Sequence, residues 1–307
     1  MNKGTIIAVD FGGTSVKLAK VVGSKIIEKY DPIHTANYHS AAELKAELMK
    51  RLREIKDSTV KGVGIGVPGL VKQPQGLVVN LGNVEGWSNI ALAEEVSQEL
   101  GVPCKVDNDA NCAALAEARF GAGQNQELML MVTLGTGVGS GIISHGNIWH
   151  GAHGYAGEIG RLQVPSLNSK TQDIDYQILD KICGHSAISK QAISLYQAQG
   201  IHDDLDSKST LPYLAKKARE GDQIALQVWQ TMARNLALGL ANANALLNPS
   251  MIVIGGGVAA AADVFLDELK AHFEKLTWAE SLELNIVVAK FGNDAGLIGA
   301  AQLLENR

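Results

Sequence analysis

A repeated pattern of short apolar strands and glycine turns constrains this chain more than any other feature. Residues 5 to 31 are rich in Ile and Val and predict three antiparallel strands: Thr5–Asp10, Ser15–Val22 and Lys25–Tyr30. Leu128–His150 has the same order of strands and glycine turns. A shift of 123 residues, the spacing from Gly12 to Gly135, also superimposes the glycines of the second turns. The repetition predicts two related halves, with chance similarity of two glycine-rich hairpins as the alternative.

Predicted helices and strands alternate along the rest of the chain. Apolar residues at helical or strand spacing predict, in chain order, a helix over Ala41–Ile55, a strand over Gly62–Val67, a helix over Cys112–Arg119, a helix over Asp222–Leu247, a strand over Met251–Ile254 that leads into a helix, a strand over Leu284–Val288, and a last helix from about Asp294. The mixture of meanders and βα units predicts an α/β fold of two domains with a cleft between them, and a boundary near Asn111.

Composition narrows the class of partner. The 307 residues are 46% apolar and 19% charged, and 27 Lys and Arg against 32 Asp and Glu give a net charge of -5. Without a basic run, a dedicated binder of nucleic acid or of membrane surfaces is not expected, so the partner should be a small molecule. No apolar stretch approaches the roughly eighteen residues of a membrane span, and no secretory signal precedes the first strand. We expect a soluble, cytoplasmic protein.

The three cysteines are widely spaced and form no CxxC pair: Cys104, Cys112 and Cys183. Neither a disulfide framework nor a cysteine-rich zinc site can be written from them, which is in keeping with a reducing compartment.

The first glycine turn has the composition of a phosphate-binding loop. It follows a strand as Asp10-Phe11-Gly12-Gly13-Thr14, where glycines let the backbone approach a phosphate closely. Asp10 could hold a hydrated Mg²⁺, Thr14 could donate its hydroxyl to a phosphate oxygen, and Lys17 could add a positive charge. A plain turn between two strands is the alternative.

A second loop of this kind stands at the matching place in the second meander. Leu134–Gly141 contains Thr136 and Gly137 within a run of alternating glycines. Two such loops can grip one polyphosphate from opposite sides, so together they favour a nucleotide or polyphosphate site.

Gly255-Gly256-Gly257 follows a strand and opens a predicted helix, so a nucleoside could lie against the backbone of Gly256 and Gly257. A simple strand-to-helix turn is the alternative. The Gly255–Gly257 segment is not the GxGxxG dinucleotide fingerprint, and the sequence contains no GxxxxGK[ST] phosphate loop.

Carboxylates and amides cluster in Val106–Asn111. Phosphoryl transfer to an alcohol needs a carboxylate that accepts the proton of the attacking hydroxyl, and neighbouring amides that orient the substrate. Asp109 is the candidate base, although an Asp at this place could instead cap the following helix. Asp107 is expected to be a structural partner.

Further polar residues could contact the acceptor. Glu158, between two glycines, could accept hydrogen bonds from vicinal sugar hydroxyls, and Asn80, Asn83 and Trp87 could supply amides and a flat apolar face. Each could equally be an ordinary loop residue. His150 and His153 have a spacing compatible with a metal, but no neighbouring ligand completes a site.

The combination of motifs resembles the ROK family of sugar kinases, within the sugar kinase, actin and Hsp70 group of ribonuclease H-like ATPase folds. Five segments carry the resemblance, over nearly the whole chain: Asp10–Thr14, Asn108–Asn111, Gly135–Gly141, Gly151–Gly160 and Gly255–Gly257. It implies an ATP- and Mg²⁺-dependent hexose kinase, usually a homodimer, with the C-terminal helix returning to the first domain. The implied domains are residues 1–111 with 293–307, and residues 112–292.

By the same resemblance Asp109 is the base, Asn108 and Glu158 hold sugar hydroxyls, and Asn83 is a further sugar contact. This chain departs from the family at Arg161, where His is usual, and in Leu162–Gly184, which has one cysteine in place of a zinc motif. We therefore expect no structural zinc. The reaction expected is transfer to the 6-hydroxyl of glucose or a related hexose. Use of polyphosphate as donor, an N-acetylhexosamine or fructose as acceptor, or a non-catalytic sensor remain alternatives.

Overall fold

The computed structural model describes residues 4–81, 86–167, 174–201, 210–277 and 284–305. Two compact units are distinguished. The first comprises residues 1–131, 141–157 and 290–307, and the second comprises residues 132–140 and 158–289. The domain bounds expected from the sequence stay a prediction.

The strands of the described residues are β1 Thr5–Phe11, β2 Ser15–Val22, β3 Lys25–His34, β4 Val60–Val67, β5 Gly69–Lys72, β6 Leu77–Leu81, β7 Ser88–Ile90, β8 Cys104–Asn108, β9 Leu128–Leu134, β10 Val138–Ser144, β11 Asn147–Ile148, β12 Gln163–Leu167, β13 Ile174–Ile178, β14 Met251–Gly255 and β15 Asn285–Val288.

The α-helices of the same residues are α1 Ala41–Ile55, α2 Leu92–Leu100, α3 Asp109–Phe120, α4 Leu179–Cys183, α5 His185–Ala198, α6 Thr210–Arg219, α7 Gln223–Leu247, α8 Ala262–Leu276 and α9 Ala295–Gln302. Where the structure describes the chain, no helix is both long and apolar enough to span a membrane.

Two five-stranded sheets share one strand order. The first runs β3-β2-β1-β4-β8 and the second runs β11-β10-β9-β14-β15. In the first sheet β1 is antiparallel to β2 and parallel to β4, and β4 is parallel to β8. The shift of 123 residues maps β1 onto β9, and these two strands also have the same sequence of buried and half-buried positions. The repetition in the sequence therefore corresponds to a repetition in the sheets.

Local capping sets the ends of the predicted helices. The Ser40 hydroxyl accepts a hydrogen bond from the backbone N–H of Glu43, and the Glu43 carboxylate accepts one from the N–H of His39, so α1 begins where its apolar stripe does. The Asp222 carboxylate caps α7 in the same way through the N–H of Ala225. Helix α7 ends at Leu247 and is followed by its C-cap Asn248, whose φ of 47° is left-handed.

Helix α9 packs on the first sheet within the first unit. Leu297, Ala300 and Ala301 are buried with Ile6 and Ala8 of β1. The approach is close enough that a Cβ on Gly299 would overlap the carbonyl oxygen of Cys112 in α3. The C-terminal helix thus helps to fix α3, the helix that follows the predicted catalytic turn.

Most predicted bounds agree with the structure to within one or two residues, and the larger differences concern three elements. Helix α3 begins at Asp109, not Cys112, because the polar run is itself the strand-to-helix turn. Strand β3 extends to His34, since its pairing with β2 continues through Ile33. The residues after β14 form a 3-10 helix over Gly257–Ala261 before α8 begins.

Candidate active site

The first glycine loop joins β1 to β2 in the first unit. The N–H of Gly12 donates to the carbonyl of Ser15 at 2.8 Å, and the carbonyl of Thr14 accepts from the N–H of Thr35 at 3.1 Å. Gly13 and Thr14 are exposed. The loop is therefore fixed at its ends and presents its tip to solvent.

Asp10 and Lys17 face one another at the base of this loop. They are register partners in β1 and β2, and Lys17 Nζ lies 3.2 Å from Asp10 Oδ2. Lys17 Nζ also donates to the carbonyl of Asn293 at 3.2 Å. A Cβ on Gly296 would lie 2.8 Å from Asp10 Oδ1, so the start of α9 closes over this carboxylate.

The surroundings of Asp10 disfavour the ionised form of its carboxyl group. Burial raises the pKa of this carboxyl, the ammonium of Lys17 opposes that effect, and the nearby carboxylate of Asp294 adds to it. A desolvated carboxylate gains from any further cation. Asp10 therefore fits the expected Mg²⁺ contact through a water molecule, since Mg²⁺ usually keeps several waters in protein sites.

The predicted catalytic residues lie at the turn from β8 to α3, in the same unit. Asn108 is the N-cap of α3: its Oδ1 accepts from the N–H groups of Ala110 and Asn111, at 2.8 and 3.2 Å. Asp109 is the first helical residue, so Asn108 and not Asp109 occupies the N-cap position, although Asp109 Oδ1 also accepts from the N–H of Ala110 at 2.9 Å. Asn108 Nδ2 donates to the carbonyl of Gly69 at 3.2 Å. The amide and the carboxylate are thus held side by side at the carboxyl end of β8.

Asp107 anchors this turn from beneath. The residue is only 3% exposed. Its Oδ1 accepts from the N–H of Asn108 at 2.8 Å and from Asn111 Nδ2 at 2.9 Å. Its Oδ2 accepts from Gln73 Nε2 at 3.1 Å and lies 2.6 Å from His150 Nε2. The structural role expected for Asp107 therefore has a full set of partners, and His150 is one of them.

The second glycine loop joins β9 to β10 in the second unit. The N–H of Gly135 donates to the carbonyl of Gly137 at 2.9 Å, and the carbonyl of Gly135 accepts from the N–H of His185 at 2.9 Å. The N–H of Val138 donates to Asp180 Oδ1 at 2.7 Å. Thr136 is exposed at the tip. This loop is held by residues from α4 and α5 that sequence reasoning did not identify.

Glu158 lies just before a 3-10 helix over Ile159–Arg161 in the second unit. The N–H of Ile159 donates to Ser140 Oγ at 3.2 Å, which ties this segment to β10. Although Glu158 is exposed, partial desolvation raises the pKa of its carboxyl; Arg161 lowers it and Asp180 raises it. Arg161 thus acts electrostatically on the residue expected to hold the sugar.

The third glycine cluster has a packing role as well. Gly256 has φ of 83°, and a Cβ there would overlap the carbonyl oxygen of Leu134. A Cβ on Gly257 would meet no atom within 4 Å. Glycine is therefore required at 256 because the backbone lies so close to the end of β9. No such contact requires glycine at 257, where the 3-10 helix begins.

Other expected residues fare differently. Asn83 lies outside the described residues. Trp87 is 2% exposed and stacks edge-on against Phe11, with ring centroids 5.2 Å apart, so the expectation that it offers a flat face to a ligand is wrong. Burial raises the pKa of Cys104 to about 12, and burial also raises the pKa of Cys112 well above the usual value of a thiol. Among the residues that the structure describes, no group of three His, Cys, Asp or Glu could hold a metal ion. The absence of structural zinc stays a prediction.

Comparison with known proteins places the chain among sugar kinases. The model of the ROK family matches residues 6–307. A glucokinase from Halalkalibacterium halodurans is 34% identical, over 98% of this chain and 95% of its own. An N-acetyl-D-glucosamine kinase from Histophilus somni is 30% identical, over 97% of this chain and 98% of its own.

A solved structure gives the same result for the fold. The ROK family glucokinase from Streptomyces griseus, in complex with glucose and AMPPNP, has a TM-score of 0.81 at 29% identity and covers 98% of this chain and 99% of its own. The α/β fold of the sugar kinase, actin and Hsp70 group, expected from the sequence, is confirmed.

Proposed function

Because this chain belongs to the ROK family, we propose that it is a kinase that transfers the terminal phosphoryl group of ATP to the 6-hydroxyl of glucose. The observation that carries this proposal is the turn from β8 to α3. It holds the Asn108 amide and the Asp109 carboxylate side by side, in a chain whose relatives include glucokinases.

Asp109 is the general base of the proposed reaction. Its carboxylate accepts the proton of the sugar hydroxyl as that oxygen bonds to phosphorus, while the bond to the leaving phosphate oxygen breaks. Asn108 and Glu158 hold neighbouring sugar hydroxyls, and Asn83 adds a further contact. The Asn108 amide nitrogen carries two N–H groups, and the carbonyl of Gly69 accepts from one of them, which leaves the other for the substrate.

The donor is assigned to the three glycine segments. Backbone N–H groups and hydroxyls bind its phosphates, with Lys17 adding a positive charge, and the backbone after β14 faces the nucleoside: Gly12, Gly13, Thr14, Lys17, Thr136, Gly137, Gly256 and Gly257. Asp10 would hold Mg²⁺ through water, and the ion would supply positive charge that neutralises the phosphates.

The acceptor is not fixed by these assignments alone. Likeness to an N-acetyl-D-glucosamine kinase keeps an N-acetylhexosamine as a second candidate, and Arg161 beside Glu158 changes the charge near the expected sugar contact. Fructose as acceptor, polyphosphate as donor and a sensor without turnover are the other outcomes of the test below. We further propose a cytoplasmic homodimer without structural zinc, to be checked by light scattering and by metal analysis of the purified protein.

A coupled ADP-release assay over glucose, fructose, mannose and N-acetylhexosamines tests the function. We expect the highest kcat/KM with glucose and ATP, and a dependence on Mg²⁺. In parallel, polyphosphate replaces ATP and sugar phosphate is detected directly. A protein that binds glucose but phosphorylates no sugar with either donor would contradict the proposal and support a sensor.

A further inference from the structure

Asp180 contacts the second glycine loop at the point where β10 begins. Its Oδ1 accepts from the N–H of Val138 at 2.7 Å, a charge-assisted hydrogen bond to a buried residue. Its Oδ2 lies 3.6 Å from Lys181 Nζ. We propose that Asp180 is a positioning residue for the donor-phosphate loop Leu134–Val138. The inference rests on the proposed function only in that this loop binds the donor.

The contact between Asp180 and the loop accounts for a glycine. A Cβ on Gly137 would overlap Asp180 Oδ1 and would also crowd its Cγ at 2.9 Å. Gly137 has no positive φ, so backbone conformation does not call for glycine here. Glycine is required at 137 because the carboxylate of Asp180 lies so close to it.

Two more contacts come from the same segment. A Cβ on Gly184 would lie 2.6 Å from the carbonyl oxygen of Thr136, and the N–H of His185 donates to the carbonyl of Gly135. Asp180, Gly184 and His185 thus touch the loop at its end, its tip and its beginning, respectively. The backbone of the loop is fixed before any ligand arrives, which lowers the cost of ordering it on binding.

The segment that carries Asp180 is itself anchored. Leu179 is fully buried, and a Cβ on Gly239 of α7 would lie 2.5 Å from its Cδ2, so the two helices are in close contact. Cys183 Sγ lies 3.7 Å from the carbonyl oxygen of Met232, also in α7. Asp180 therefore stands on a rigid support rather than on a loose loop.

The charge of Asp180 argues against direct donor binding. A carboxylate repels an anionic phosphate, and this one already occupies the N–H of Val138. Asp180 therefore acts by holding the loop in position, whereas the residues that bind the donor contact it directly.

The test compares Asp180→Ala, Asp180→Asn and the control Lys181→Ala. Asn keeps an oxygen that can accept from Val138, whereas Ala does not. We expect Asp180→Ala to raise the Kd for AMPPNP and the KM for ATP about tenfold, with glucose affinity within about twofold of wild type. Asp180→Asn and Lys181→Ala should stay within about threefold for the nucleotide. An Asn variant as weak as the Ala variant, or equal losses for nucleotide and glucose, would overturn the proposal.

A double-mutant cycle adds a second measurement, and its Gly137→Ala arm does not depend on whether Asp180→Ala folds well. Gly137→Ala should weaken nucleotide binding strongly in the wild-type background and in Asp180→Asn, whose side chain has the same size, and much less in Asp180→Ala, which leaves room for the added methyl group. Equal losses in all three backgrounds would contradict the proposal. Nucleotide binding by a wild-type protein that phosphorylates no hexose would defeat the proposed function alone; absence of nucleotide and polyphosphate binding would defeat both.

Discussion

The two glycine loops follow equivalent strands but are held in different ways. The first, between β1 and β2, is fixed by its own turn, by one backbone hydrogen bond from Thr35 and by the pair of Asp10 with Lys17. The second, between β9 and β10, is fixed from outside by Asp180 and its neighbours. The shift of 123 residues aligns Thr14 with Gly137, and the threonine of the second loop stands one place earlier.

This difference has a physical cause. A side chain fits at position 14, where the loop tip is exposed, but not at 137, where the carboxylate of Asp180 occupies the space. The charged residue within the strand, Asp10, corresponds to the neutral Thr133. The halves thus share their strands, but the first carries a buried carboxylate at this strand position and the second braces its loop with one from α4.

The largest effect is expected from Asp109→Asn, which leaves both loops intact. The amide cannot accept the hydroxyl proton, so kcat should fall about 10³-fold. Glucose and AMPPNP affinities by calorimetry should remain within about threefold of wild type. If turnover stays near the wild-type value, Asp109 is not the base.

Gly137→Thr copies the first loop into the second and should damage both stability and donor binding. Overlap with Asp180 should lower the free energy of unfolding by about 1–3 kcal/mol, measured by urea titration. Gly135→Ala is the matched control, because a Cβ there would meet no atom within 4 Å. Equal destabilisation by the two changes would mean that the loops do not differ as described.

Asp10→Asn tests, through the pH dependence of stability, how the buried charge in the first half affects the native state. Because burial holds the pKa of Asp10 above its unfolded value, the ionised carboxylate weakens the native state at neutral pH. The variant should therefore melt higher than wild type at pH 7. The difference in melting temperature between the variant and the wild type should shrink as pH falls through the raised pKa of Asp10 in the folded state. It should vanish below the ordinary Asp pKa of about 3.9, where the group is protonated in both states. Thr133→Val, the equivalent site, should shift the melting temperature equally at all pH values; a gap for Asp10→Asn that is constant with pH would contradict the account.

The smallest effects should come from the exposed hydroxyls. Thr14→Ala and Thr136→Ala each remove one proposed donor to a phosphate oxygen and should raise the KM for ATP about threefold to tenfold. Since both side chains are exposed, the free energy of unfolding should change by no more than about 0.5 kcal/mol. If only one of the two variants has a lower free energy of unfolding, its threonine makes a stabilising contact at the loop tip that is not among the contacts described above.

Local signals made much of the fold predictable. The bounds of α1 follow from its apolar stripe and its Ser40 cap. The shift of 123 residues carries β1 and β2 onto β9 and β10, although it does not carry β3 onto the two-residue strand β11. The turn with Asn108 and Asp109 could be found because polar residues concentrated at a strand end stand out from an apolar chain.

The remaining features depend on contacts between distant residues. Asp180 is 42 residues from Val138, and no motif surrounds it, so its role could not be read from the sequence. Trp87 was expected beside a ligand because it follows a loop, yet it fills the core against Phe11. Helix α3 begins earlier than predicted because Asn108, a single side chain, satisfies the N–H groups of the next turn.

Product analysis by ³¹P NMR after incubation of the wild-type protein with glucose, ATP and Mg²⁺ tests the central claim most directly. We expect ADP and glucose 6-phosphate in equal amounts, no sugar phosphate from 6-deoxyglucose, and almost none from glucose with Asp109→Asn. Phosphate on another hydroxyl, or no sugar phosphate from any hexose, would contradict the account.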